Sequence, residues 1–119
     1  MNYKNPAEQT WQVRFGLTVC PAGVAEQTIP ADAMGVAVVY APHGDETETY
    51  LVVESRAGAL RGQLARRMGT AGLPAADDLM VAYVVEATAG LSTGELKDAC
   101  QRQVVFADKI RRELRPAMR

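Results

Sequence analysis

Histidine occurs once in this chain, at His43, and cysteine only twice, at Cys20 and Cys100. A tetrahedral metal centre needs three or four ligands, and these positions carry no metal-binding spacing, so no metal site is expected. Aromatic side chains make up 6% of the residues, too few for the stacking platforms that read single-stranded bases. Neither sign of charge dominates. Thirteen Lys and Arg stand against fourteen Asp and Glu, so no global field draws the protein to polyanions, and nucleic acid and membrane are not expected partners. The longest apolar run, Leu79 to Val85, is about a third of the ~20 residues that span a bilayer. The start MNYKNPAEQT is polar and unlike a secretory signal, which points to a soluble protein of the cytoplasm with reduced thiols. The glycines in RAGALRG and MGTAG lack the GxGxxG and GxxxxGK patterns that cradle phosphates, and no cofactor is implied.

What is present suits one globular unit. The 119 residues are 48% hydrophobic, enough for a real core, and are read as a single domain with residues 1–9 as a disordered tail. Trp11, Val13, Phe15, Leu17 and Val19 alternate with less apolar residues, a period of two that predicts a strand with one buried face. On that phase Cys20 falls on the polar side and is expected to be the more accessible thiol. Val36–Ala41 and Tyr50–Glu54 read as strands around the polar tip PHGDETE, longer than the tightest two-residue hairpin turn. Leu60, Leu64, Ala65 and Met68 recur at helical spacing across Gly58–Met68, and LMVAYVVEA, which follows Asp77 and Asp78, favours a strand.

The last element carries the strongest local signal. Ser92 followed by Glu95 has the spacing of a capping box, in which each side chain satisfies a free backbone donor of the other residue. An apolar stripe then runs through Leu96, Cys100, Val104, Ala107, Ile110 and Leu114, and Pro116 ends the helix. Cys100 on that stripe reads as a small buried hydrophobe. A helix of about 30 Å is nearly as wide as the domain, so its last turns are expected to project towards a partner. The order strand, strand, strand, helix, strand, helix predicts an α+β two-layer sandwich with two main helices on a mostly antiparallel sheet. Charge is divided along the chain: six acidic residues and no Lys or Arg lie between Arg14 and Arg56, whereas Lys97–Arg119 holds seven basic residues and three acidic ones.

Several pieces together resemble the small C-terminal domain of acyl-adenylate-forming enzymes, the fatty acyl-AMP ligase branch in particular. The strand pair AVVYAPHGDETETYLVVE, the helix Ala59–Met68, the strand Asp78–Glu86 and the segment LSTGELKDACQR follow one another as in that family, over roughly residues 35–106. The resemblance implies a Ser/Thr-Ser/Thr-Gly-Lys loop at Ser92, Thr93, Gly94 and Glu95, and this chain departs from it at the last position. The family's lysine stabilises negative charge around the acyl-phosphate; Glu95 would repel it. Lys97 does not substitute, because two positions along a helix turn a side chain about 200° away. What the resemblance implies is a detached relative that lost adenylation: a noncatalytic interaction or assembly protein, self-associating as a homodimer or meeting acyl-activating or carrier-protein machinery. The competing expectation is a small biosynthetic enzyme acting on an apolar substrate in a sheet–helix pocket, with Cys20, Tyr83 or a carboxylate as its polar group.

Overall fold

The computed structural model describes residues 11–43, 46–55, 59–73 and 79–117; the expected tail at residues 1–9 and the Asp77–Asp78 pair lie outside the described residues. Four strands, β1 (Thr18–Pro21), β2 (Met34–His43), β3 (Glu46–Glu54) and β4 (Met80–Glu86), form one sheet in the order β1-β4-β2-β3. Every pairing is antiparallel. A 3-10 turn (Ala22–Val24) leads into the short helix α1 (Ala25–Thr28), α2 (Leu60–Thr70) connects β3 to β4, and α3 (Thr93–Leu114) follows β4. The structure is therefore the expected α+β arrangement, an antiparallel sheet packed against helices.

The apolar run VAVVYA follows from the position of β2 between β4 and β3. Its side chains are covered on both faces, so it has no polar phase. Ala37, Val39 and Ala41 point with Leu51, Val53 and Val81 towards α1 and α2, where Ala25, Ile29, Leu60 and Leu64 complete one core. Val36, Val38 and Tyr40 point the other way, with Val52 and Ala82, towards Trp11 and the Ala107 and Ile110 side chains of α3. The helices thus divide between the two faces. Val36, Val38 and Val39 are fully buried, and each contributes about 1.5–3 kcal/mol of transfer free energy.

Both strands of the β2–β3 hairpin are longer than their apolar residues suggested. Pairing runs from Val36–Glu54 to His43–Glu46, so only residues 44 and 45 connect them, and the expected longer turn is corrected to a two-residue connection. Its outer rungs hold Pro42, Thr47 and Glu48, whose polarity resembles that of a loop. Between Val39–Leu51 and Tyr40–Thr49 the register slips by one residue. That bulge turns both Tyr50 and Leu51 towards the α1–α2 core.

The expected strand over Trp11–Val19 is a strand only from Thr18. Residues 11–14 are helical, and Gly16 at φ +70° closes them. Leu17 donates its N–H to the Gln12 carbonyl and Gly16 to the Val13 carbonyl, the paired bonds of a Schellman motif with glycine in the left-handed position. Period two and helical spacing coincide for Trp11 and Phe15, four residues apart, and tertiary contacts choose between them. Trp11 meets the Tyr40 ring edge-on at 5.0 Å and donates from Nε1 to Thr47 Oγ1 at 3.2 Å; Phe15 meets Phe106 at 5.8 Å.

In α3 the capping box forms as expected, and Pro116 follows an Arg115 that ends the helix in the left-handed region. The buried face differs from the expected stripe in its first half. Ala99, Gln103, Ala107 and Ile110 are the buried positions, while Leu96, Cys100 and Val104 are half-buried and Val105 is exposed. Ala99 and Ala107 are both fully buried, side chains small enough to let a helix backbone lie close to what it packs on. The last turns do not project away either: Ile110 is buried, Arg111 pairs with Glu54 at 2.6 Å and donates to the Val52 carbonyl at 2.9 Å, and the Ala117 N–H reaches the Thr49 carbonyl.

Candidate functional site

Ser92, Thr93, Gly94 and Glu95 lie exposed at the start of α3. Ser92 is the N-cap; its Oγ accepts the Glu95 N–H at 3.2 Å, and its own N–H donates to Glu95 Oε1 at 3.1 Å. These bonds favour the charged carboxylate, so Glu95 titrates below its ordinary value, held there first by the Ser92 backbone N–H and then by the Ser92 side chain. A shallow depression of about 160 Å³ adjoins this turn, lined by Glu86, Ala87, Leu91, Glu95, Asp98 and Arg102. Arg102 spends its guanidinium on both Glu86 oxygens, at 2.8 and 3.0 Å. Three carboxylates against one guanidinium leave this surface net negative, opposite to the anion preference of the helix dipole.

Cys20 and Tyr83 come together elsewhere, on the face of the sheet that α1 and α2 cover. β1 and β4 pair Cys20 with Val81 and Thr18 with Tyr83, so the two side chains are diagonal neighbours. The expectation that Cys20 is the accessible thiol is overturned: it is buried, and Cys100 is intermediate. Leu17 and Val19 pack with Trp11 on the α3 side, and Cys20 lies on the opposite face as the alternation predicts, but that face is covered by α1 and α2 and is not open to solvent. Burial pushes the Cys20 thiol up, an effect that a hydrogen bond with Thr28 opposes. Tyr83 is also raised, by burial first and by proximity to Cys20 second. Both groups are neutral at pH 7. A groove of about 300 Å³ lies near these helices, between Ala22, Ala25 and Glu26 on one side and Arg61, Leu64 and Met68 on the other.

A third concavity was not anticipated from sequence. Phe15, Val84, Val85, Glu86, Arg102, Gln103 and Phe106 enclose a trough of about 490 Å³, within the size range of ligand pockets. It exists because β1 is short. β2 pairs with β4 along Met80–Glu86, but β1 reaches only Met80–Tyr83, so among the described residues Val84–Glu86 have no strand on that side. Extending the β1 register would set Leu17, Gly16 and Phe15 opposite those residues; the Gly16 turn takes the chain out of the sheet instead. Gln103 lines the trough with 9% exposure, and its carboxamide is not among the buried groups left without a hydrogen bond. The available signal was a glutamine at a stripe position, four residues from both Ala99 and Ala107.

Among the described residues, no group of three or more His, Cys, Asp or Glu is placed to hold a metal ion, and no helix is long and apolar enough to cross a membrane. The His43 side chain lies outside the described residues. Comparisons with protein-family models, with curated proteins and with solved structures found no match to this chain.

Proposed function

We propose that the chain is a noncatalytic interaction or assembly protein, derived from the C-terminal domain of an adenylate-forming enzyme and working beside acyl-activating or carrier-protein machinery in the cytoplasm. The observation that carries this reading is Glu95. Where the resemblance calls for a lysine, a carboxylate closes a capping box beside Glu86 and Asp98. Negative charge there opposes an acyl-phosphate, and exchanging Glu95 for a cation would dismantle the helix start.

The competing reading, a small enzyme using Cys20 or Tyr83, gains little from the geometry. A thiolate is the reactive form of cysteine, and burial at Cys20 disfavours it. The open trough and the half-covered end of β4 fit association with a protein better than they fit chemistry. Two measurements test the proposal together. Exchange of pyrophosphate into ATP with fatty acids as substrates is expected to stay at background, and titration with a holo carrier protein is expected to perturb backbone amides of this chain. Turnover that Glu95→Ala abolishes would overturn the noncatalytic reading. A strictly monomeric chain that binds neither carrier protein nor an acyl-activating enzyme would overturn the interaction reading.

A further inference from the structure

We propose that the trough beside Val84–Glu86 receives an extended peptide segment of a partner protein, added to β4 as a short antiparallel strand in line with β1, with a basic residue leading into the acidic depression. This inference rests on the interaction reading above and specifies its surface. Three observations point to an extended peptide. The first is the edge of β4, where Val84–Glu86 lie beyond the reach of β1 and lack a described strand partner. Strand addition supplies the main-chain donors and acceptors that such an edge requires. The second is the Gln103 carboxamide, which lines the trough from an otherwise buried residue and offers one donor face and one acceptor, and so matches a peptide group. The third is the apolar wall of Phe15, Val84 and Phe106 on the α3 side, which suits the alternate apolar side chains of a strand.

Charge sets the polarity of the peptide. The trough and the acidic depression share Glu86 and Arg102, so one runs into the other at the Glu86 end. A strand that continues the β1 direction has its N-terminal end there, because residues preceding Thr18 would face residues following Tyr83. The peptide therefore carries its Lys or Arg on the N-terminal side of an alternating apolar stretch. A second copy of this chain fits poorly. Its strands β1, β2 and β3 lie within the stretch from Arg14 to Arg56 that holds no Lys or Arg, β4 has none either, and the basic residues of α3 are helical.

The test uses the full chain, labelled with 15N, and the peptide acetyl-Lys-Lys-Val-Thr-Val-Thr-amide. Addition of the peptide is expected to shift the Val84, Val85 and Glu86 amides and the Gln103 side-chain NH2. Replacing both lysines by glutamates should weaken binding about ten-fold, the equivalent of one favourable charged contact. N-methylation of both valines or of both threonines separates main-chain pairing from side-chain docking. Strand addition turns one set of N–H groups towards β4, so one analogue loses about ten-fold or more and the other retains binding. Gln103→Met, close in volume, should bind several-fold more weakly with an unchanged melting temperature. Absence of shifts at Val84–Glu86 with about 1 mM peptide, or equal behaviour of the two N-methylated analogues, would sink the proposal. So would a dimer in sedimentation whose Val84–Glu86 amides are protected from exchange, which would name a second copy as occupant. Carrier-protein binding that perturbs residues elsewhere would remove this site and leave the interaction reading standing.

Discussion

Gly35 and Gly62 are expected to respond to the same substitution with opposite sign. Gly35 pairs with Val85 across β2 and β4, and a Cβ added to it would lie 2.0 Å from the Val84 carbonyl oxygen and 2.9 Å from the Val85 Cα. Carbon and carbonyl oxygen normally approach to about 3.3 Å, so the strands must part by more than 1 Å, and the atoms in the way are backbone. Gly35 also accepts the Ser55 N–H and donates to Ser55 Oγ, both at 3.0 Å, which ties the end of β3 to the same point. Stretching two ladder hydrogen bonds costs about 1 kcal/mol each, and overpacking adds about 1 kcal/mol more, for a total of about 3 kcal/mol. Around 4 °C of melting temperature accompanies each kcal/mol in a domain of this size, so Gly35→Ala should melt roughly 12 °C lower. At Gly62, in α2, an added Cβ meets nothing within 4 Å. Gly62→Ala should therefore stabilise by about 0.5–1 kcal/mol through helix propensity alone. Thermal and urea unfolding followed by circular dichroism measure both. A Gly35→Ala protein melting within about 2 °C of the parent would refute the close approach of β2 and β4.

Other expectations concern the helix cap, the thiols and the end of α3. Ser92→Ala should lower stability by about 1 kcal/mol in urea unfolding, with Ser92→Asp close to the parent, since an N-cap needs only a side-chain acceptor. The folded-state value of Glu95 lies below its ordinary 4.5, so its charge stabilises the fold above that value and the contribution fades as pH falls through the lower folded value. Glu95→Gln should accordingly be less stable than the parent at pH 7, with the two converging in acid; a gap that widens below pH 4.5 would contradict the capping geometry. Iodoacetamide should modify Cys100 first in the native protein and Cys20 only after unfolding, as read by peptide mass spectrometry. Arg111→Ala should destabilise by about 1–2 kcal/mol, because it leaves the Glu54 carboxylate, 10% exposed, without the guanidinium that holds it. Arg111→Lys should recover only part of that loss in the same unfolding assay, since one ammonium does not reproduce the geometry shared by Glu54, Asp108 and the Val52 carbonyl.

The structure is most legible in the sequence where the determining contacts are a few residues apart. Ser92 and Glu95 make their reciprocal bonds across one turn, and Pro116 stops a helix without reference to any other element. Leu79–Val85 is rich in β-branched residues and became β4 almost residue for residue. Glu95 was legible for the same reason: its neighbours along the chain already specify what its carboxylate does. The alternation from Trp11 to Val19 is ambiguous because two periods share a four-residue spacing, and Gly16, in the left-handed region, is the punctuation that separates helix from strand. Cys20 does lie on the other face from Leu17 and Val19, but both faces of the sheet are covered, so the less apolar phase is buried there too.

The amino-acid sequence by itself determined the class of fold, the frame of α3 and the chemistry at its start, since propensity, periodicity and capping act over three or four residues. Tertiary structure decided which face each helix covers, how α3 rotates to bury Gln103 in place of Cys100, and that β1 stops short of Val84. Each of those depends on which surfaces meet across the sheet, and side-chain volumes and backbone approach at such meetings are set by residues distant in the chain. The trough is a product of that second kind of information, because it is formed by what β1, β4 and α3 leave uncovered between them.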